Sequence, residues 1–256
     1  MKKILIPCVC LSFLLFSCSE EKKKINESIV DLPQDSLDLE EQKAPVSFYQ
    51  YEDAPEYPDA ILELFTPLGN QVFKPGKVPF EFNIKNFPFE DEDQKHFKLY
   101  NILNGGDPSG FYAPIFQRDL SEGSYRVVAY LVDEDGIALK NFGNYIDRDF
   151  QVGDSRPFPY SAEPYLALNF PRNEQSFSSE EEVIIDFLVV GGDMKLDGLL
   201  VEVEVNEFSY KVDHMAPILI ANLPKGRYNV KVSLQRVSGK ELEGPFSQVN
   251  KTIIVE

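Results

Sequence analysis

Residues 114–152, PIFQRDLSEGSYRVVAYLVDEDGIALKNFGNYIDRDFQV, lie over residues 217–255, PILIANLPKGRYNVKVSLQRVSGKELEGPFSQVNKTIIV, without a gap at an offset of 103. Leu120 meets Leu223, Gly123 meets Gly226, Tyr125 meets Tyr228 and Leu139 meets Leu242. The stretches ahead of them agree more loosely, ILELFTPLGNQVF from Ile61 over YLALNFPRNEQSF from Tyr165. A repeat of this length means one structural unit built twice. Two domains of about 95 residues each, 59–153 and 161–256, follow, large enough to bury cores of their own.

Within each copy the apolar period is two. KVPFEFNI sets Val78, Phe80, Phe82 and Ile84 on one side of an extended chain, and EVIIDFLV sets Val183, Ile185, Phe187 and Val189. No window of helical length carries an apolar stripe. PLGN, NGGDPSG, DEDG, GGD and VSGK punctuate runs of strand length, the spacing of an all-β sandwich. In DLSEGSYRV and NLPKGRYNV a leucine precedes Gly-x-Tyr and an alternating strand follows. This resembles the tyrosine corner of immunoglobulin-type sandwiches, which casts Tyr125 and Tyr228 as structural residues. The expected fold is all-β, two tandem Ig-like or fibronectin-type antiparallel sandwiches.

The N-terminus reads as an address. Met1, Lys2 and Lys3 precede an almost unbroken apolar run, Ile4 to Phe16, too short to span a bilayer and of the length of a signal peptide. Leu15-Phe16-Ser17-Cys18 resembles the lipobox of bacterial lipoproteins, so residues 1–17 are expected to be removed and Cys18 acylated, by palmitate or a similar chain. Cys8 and Cys10 fall inside the removed part, which leaves no disulfide framework. Residues 18–58 are rich in charge and proline and poor in large apolar groups, and are expected to form a disordered acidic tether. SEEKKK after Cys18 is similar to the acidic export signals that carry lipoproteins to the outer surface. An outer-membrane lipoprotein, facing the periplasm or the cell surface, is the expected address.

Without the signal, 23 basic residues face 42 acidic ones. Such a chain is repelled by nucleic acid, and the membrane partner is the lipid alone. Catalytic groups are scarce: only His96 and His214 exist, and the repeat offset does not bring them to one equivalent position. No nucleophile elbow, phosphate loop or zinc motif occurs. The reading is therefore no enzyme, no cofactor and no metal. Glu90–Asp93 and Asp133–Gly136 hold enough carboxylates for weak Ca²⁺ binding, but Asp-Gly between strands is first a hairpin turn.

One asymmetry between the copies singles out a surface. After Tyr228 the strand places Asn229, Lys231, Ser233 and Gln235 on its outer side, whereas after Tyr125 the outer side carries Arg126, Val128, Tyr130 and Val132. An apolar outer face of an antiparallel sheet is covered by something: the other domain, the tether or a partner. Val128, Tyr130 and Val132 are the candidate interaction face.

YPDAILELFTPLGN, the two long repeat segments above and the N-terminal cysteine together resemble a family of Bacteroidetes lipoproteins with two tandem Ig-like repeats, over residues 57–256. Members often carry the label phosphopeptide-binding protein. The chain departs from that label: Gly226-Arg227 lacks the Ser-x-x-His sequel of phosphate-reading sandwiches, arginines do not cluster, and of the family's His-x-His segment only His96 remains. The resemblance implies a non-enzymatic envelope protein that serves interaction with an envelope or surface protein, or architecture. The alternative is an accessory module for glycan, Ca²⁺ or phosphopeptide.

Overall fold

The computed structural model describes residues 44–51, 56–89, 96–240, 242 and 244–256. Cys18, the signal segment and Glu90–Asp93 lie outside the described residues. Every described regular element is a strand, and the alternation of β-branched and aromatic residues with polar ones is the reason: a period of two buries one side of an extended chain and no side of a helix.

Repeat 1 comprises β2 (Ile61–Thr66), β3 (Val72–Phe73), β4 (Gly76–Lys85), β5 (Leu99–Leu103), β6 (Ser109–Phe111), β7 (Ile115–Leu120), β8 (Gly123–Leu131) and β9 (Tyr145–Val152). Its sheets run β2-β4-β7 and β3-β9-β8-β5-β6. Repeat 2 comprises β10 (Tyr165–Phe170), β11 (Gln175–Phe177), β12 (Val183–Val190), β13 (Leu199–Val205), β14 (Phe208–Val212), β15 (Ile218–Ala221), β16 (Gly226–Arg236) and β17 (Gln248–Val255). Its sheets run β15-β12-β10 and β11-β17-β16-β13-β14. This order, three strands facing five, is that of an Ig-like sandwich. In both copies the first strand ends at a cis X-Pro bond, Thr66–Pro67 and Phe170–Pro171. The chain then crosses to the other sheet and pairs parallel with the last strand.

Each sandwich closes on its own core. Val78, Phe80, Phe150 and Leu131 fill repeat 1, and Val183, Ile185, Phe187 and Leu199 fill repeat 2, all essentially excluded from solvent. At the start of the penultimate strands the phenol of Tyr125 donates to Ser121 O at 2.9 Å, and that of Tyr228 to Pro224 O at 2.7 Å. Gly123 and Gly226 lie beneath these rings, where an added Cβ would sit 3.5 Å from the ring edge.

An additional strand, β1 (Ser47–Gln50), lies in the segment expected to be a disordered tether. It pairs antiparallel with β15, Phe48 opposite Ile220 and Gln50 opposite Ile218, and makes the three-stranded sheet of repeat 2 four-stranded. The expectation of a tether over 18–58 is corrected for these residues. Val46 and Phe48 pack on the repeat 2 core, and Phe48 stacks on Tyr210 with centroids 5.6 Å apart. An outward and an inward side within four residues suffice, because β15 supplies a ready ladder. The chain thus visits repeat 2 before it builds repeat 1.

Candidate interaction surfaces

The apolar face of repeat 1 is closed. Val128, Tyr130 and Val132 are buried together with Tyr100 and Ile102 of β5, and the surface that covers them is the outer side of β10 and β12: Tyr165, Ala167, Leu188 and Val190. The two sandwiches therefore stack sheet on sheet, and a third apolar layer joins their cores. As a face open to a separate partner the assignment of Val128, Tyr130 and Val132 is corrected. Its occupant is the second repeat, whose own equivalent outer side, at Asn229, Lys231 and Gln235, stays in contact with water.

Polar groups fix the register of this stack. Tyr130 Oη donates to Asn169 Oδ1 at 2.8 Å, and Asn169 Nδ2 donates to Asp186 Oδ2 at 2.7 Å and to Gly136 O at 2.8 Å. The Asp186 carboxylate, wholly buried, also accepts from Ala138 N at 2.9 Å and pairs with Lys140 Nζ. Burial, with Asp186 nearby, pushes the Tyr130 phenol well above its ordinary range. At the other end of the stack Arg126 holds Asp149 through two bonds of 2.6 Å, which keeps the guanidinium charged. The rings of Tyr165, Phe246 and Phe158 lie 4.6, 5.4 and 5.6 Å from it. Lys251 of repeat 2, nearly buried, reaches Asp107 of repeat 1 at 2.6 Å. Hydrogen-bonded groups of this kind tolerate one arrangement and penalise others.

Two residue groups with chemical potential in the sequence have structural employment. The Asp133 carboxylate accepts from Asp135 N and Ile137 N, at 3.0 and 2.8 Å, and so closes its own turn, with Gly136 at φ +81°. His214 is exposed, with Nδ1 2.8 Å from Asp213 Oδ1, and His96 is exposed on the other repeat. Among the described residues no group of three His, Cys, Asp or Glu side chains converges.

What the sequence conceals is the edge of repeat 1. β7 ends its sheet, and no described strand pairs with its outer side. Pro79, which has no N–H, stands opposite Gln117. The ladder bonds therefore fall on the neighbouring pairs, and the N–H and C=O groups of Ile115, Gln117 and Asp119 point outward. Beyond Ile115, β4 runs on past the end of β7. Leu62 N bonds Gly143 O, away from β4, which turns the N–H and C=O of Ile84 away from β2 toward the same open side. There lies a groove of ≈ 460 Å³ lined by Phe82, Asn83, Ile84, Phe87, Pro88, Phe89 and Pro114. Ile115, which follows Pro114 in the chain, is 64% exposed.

No family model and no curated protein matches the chain. Among solved structures it is similar to the fibronectin(III)-like modules of Clostridium thermocellum CbhA, at 12% identity over 77% of this chain and 94% of that one, TM-score 0.28. It is similar to the three N-terminal domains of the highly immunogenic outer capsid protein of bacteriophage RB49, at 9% identity over 77% and 70%, TM-score 0.23. It is also similar to SGBP-B of the Bacteroides ovatus mixed-linkage glucan utilization locus, solved with a mixed-linkage heptasaccharide, at 9% identity over 77% and 47%, TM-score 0.21. This chain spans about half the length of that last protein. Likenesses of this size carry no statement about activity.

Proposed function

We propose that the protein is a non-enzymatic lipoprotein of the bacterial envelope, held by an acylated Cys18, whose two sandwiches act as one block for protein interaction or architecture. On this reading it belongs with the Bacteroidetes lipoproteins of two Ig-like repeats, and its address is the outer membrane. The observation that carries the block is the buried network from Tyr130 through Asn169 and Asp186 to Lys140: two domains that only hung in series would not bury hydrogen-bonded polar groups between them. The observation that favours interaction is the bare β7 edge beside an apolar groove. The anchor is supported by the apolar run that ends at Cys18. One acyl chain gives marginal residence and two or more give a stable anchor.

Metabolic labelling with a palmitate analogue tests the anchor. The natural chain takes up label and sediments with membranes, and Cys18→Ala loses both. Label retained by Cys18→Ala would remove the assignment. For the interaction role, affinity capture from intact envelopes, with glycan, Ca²⁺ and phosphopeptide binding assayed beside it, separates a protein partner from an accessory ligand.

A further inference from the structure

β7 and β15 are the same strand of the fold in its two copies, and they end differently. Val78 and Val183 hold the same inward position of β4 and β12; Val78 pairs with Arg118, and Val183 with Ile220. Arg118 thus stands where repeat 2 has Ile220. Across the sandwich, Asn101 opposite Ala129 stands where Val203 is opposite Val232. In repeat 2 this corner is apolar, and β1 closes it by setting Phe48 against Ile220. In repeat 1 the corner is polar, and among the described residues no strand lies beside β7 as β1 lies beside β15.

The polar pair is incomplete. Arg118 Nη1 donates to Asn101 Oδ1 at 2.6 Å, and Arg118 makes no ion pair among the described residues. Asn101 is wholly buried, and among the described residues its Nδ2 has no acceptor. A guanidinium offers five donors, and a buried donor without an acceptor carries its full desolvation cost. The half-buried Arg118 therefore has donors for which no acceptor stands among the described residues, and the buried Asn101 amide marks the corner as polar to its floor. Both sit behind a strand edge whose outward N–H and C=O groups, at Ile115, Gln117 and Asp119, meet no strand among the described residues.

We propose that the β7 edge of repeat 1 takes an extended strand of a partner polypeptide, antiparallel to β7, which sets a carboxylate against Arg118. Two residues further on it sets an apolar side chain opposite Phe116, and after another two an apolar or aromatic one in the groove between Ile84, Phe87 and Pro114. The backbone bonds to Ile115, Gln117 and Asp119 supply attachment, and the carboxylate supplies selectivity. The geometry is that of β1 on β15, so the molecule contains its own template. The inward-facing Arg118 rejects a strand like β1, which would bury Phe48 against an unpaired cation, and so keeps that strand on repeat 2. The inference rests on the interaction reading above and names the chemistry of its partner. The lipid anchor and the labelling test do not depend on it.

The test is fluorescence anisotropy of the purified protein with two labelled peptides, Ser-Glu-Thr-Val-Thr-Phe-Lys and its counterpart with lysine in place of glutamate. The glutamate peptide binds at least tenfold tighter than the lysine peptide. Arg118→Glu reverses the order, and Gln117→Pro, which removes an outward N–H from the edge, weakens both peptides at least tenfold. Thermal melts that match the natural protein show that each variant is folded; if Arg118→Glu does not fold, Arg118→Met serves, and it abolishes the preference. Equal binding of the two peptides, binding unchanged by Gln117→Pro, or no binding of the glutamate peptide up to about 1 mM overturns the proposal.

Discussion

The Tyr130 phenol of β8 donates to Asn169 Oδ1 of β10 at 2.8 Å, with both side chains sealed from water between the repeats. Tyr130→Phe keeps the ring, which stacks on Tyr100 at 6.0 Å, but leaves Asn169 Oδ1 buried without its donor. The expected cost is about 1–3 kcal/mol. Tyr130→Ala also opens a void and is expected to cost about 3–5 kcal/mol. Urea unfolding followed by two probes, one in each repeat, measures both. The natural protein gives one coincident transition, and Tyr130→Ala separates the two. A variant with an unchanged midpoint would mean that the repeats do not stabilise each other.

Asp186 has a sharper role, because a wholly buried carboxylate is tolerable only with its partners in place. Lys140 Nζ, Ala138 N and Asn169 Nδ2 all bond to it. Asp186→Ala leaves the Lys140 ammonium without its counter-charge, and about 3–5 kcal/mol of stability is expected to go with it. Asp186→Leu combined with Lys140→Met removes both charges and is expected to cost less than the sum of the single changes. A double-mutant cycle in denaturant measures the coupling. Additive costs would show that the pair does not act as a unit.

The sequence carried the sandwich and not the stack. Apolar alternation from Val78 and from Val183, and Gly-x-Tyr at Tyr125 and Tyr228, encode local geometry that any copy of the fold must satisfy. The apolar outer face at Val128, Tyr130 and Val132 was visible as an anomaly, but its cover was not. The polar groups that choose that cover, Asn169 and Asp186, look in sequence like ordinary strand residues. β1 was hidden by its neighbours: Val46, Phe48 and Gln50 alternate correctly, yet the proline and charge around them dominate the composition of the segment. The free edge was masked by the repeat itself. The ungapped alignment sets Ile115 over Ile218, yet Ile218 is core and Ile115 is 64% exposed. Asn222, at φ +61°, takes up one extra residue before Leu223, so β15 and β7 are one residue out of step. Ladder register, rather than alignment, reveals Arg118 as the counterpart of Ile220.

β1 is expected to behave as part of repeat 2. Phe48 lies against Phe208 and Tyr210, and its strand covers Ile218 and Ile220, both wholly buried. Phe48→Ala removes most of a ring from that edge, for about 1–3 kcal/mol. Hydrogen exchange locates the effect: amides of β12 and β15 lose protection, while those of β4 and β7 do not. Loss of protection in both repeats alike would mean that β1 braces the whole stack rather than one sheet.

Acid is expected to loosen the stack where Asp107 meets Lys251. Burial works to raise the Asp107 carboxyl, but the bonds from Lys251 Nζ and Asn173 N, with Arg172 nearby, outweigh it and hold the group below its ordinary 3.8. A carboxyl with a lowered folded pKa contributes stability that is complete above its unfolded value and is lost as pH falls through the folded one. The contribution is therefore flat at neutral pH and fades below about 3.8, where protonated Asp107 leaves the Lys251 ammonium, 6% exposed, without a counter-charge. Asp107→Asn puts the protein in that state at every pH. The variant is expected to be less stable than the natural chain at pH 7 and to show a shallower loss of stability between pH 5 and pH 3. Stability curves of the two that stay parallel down to pH 3 would show that Asp107 takes no part in holding the repeats together.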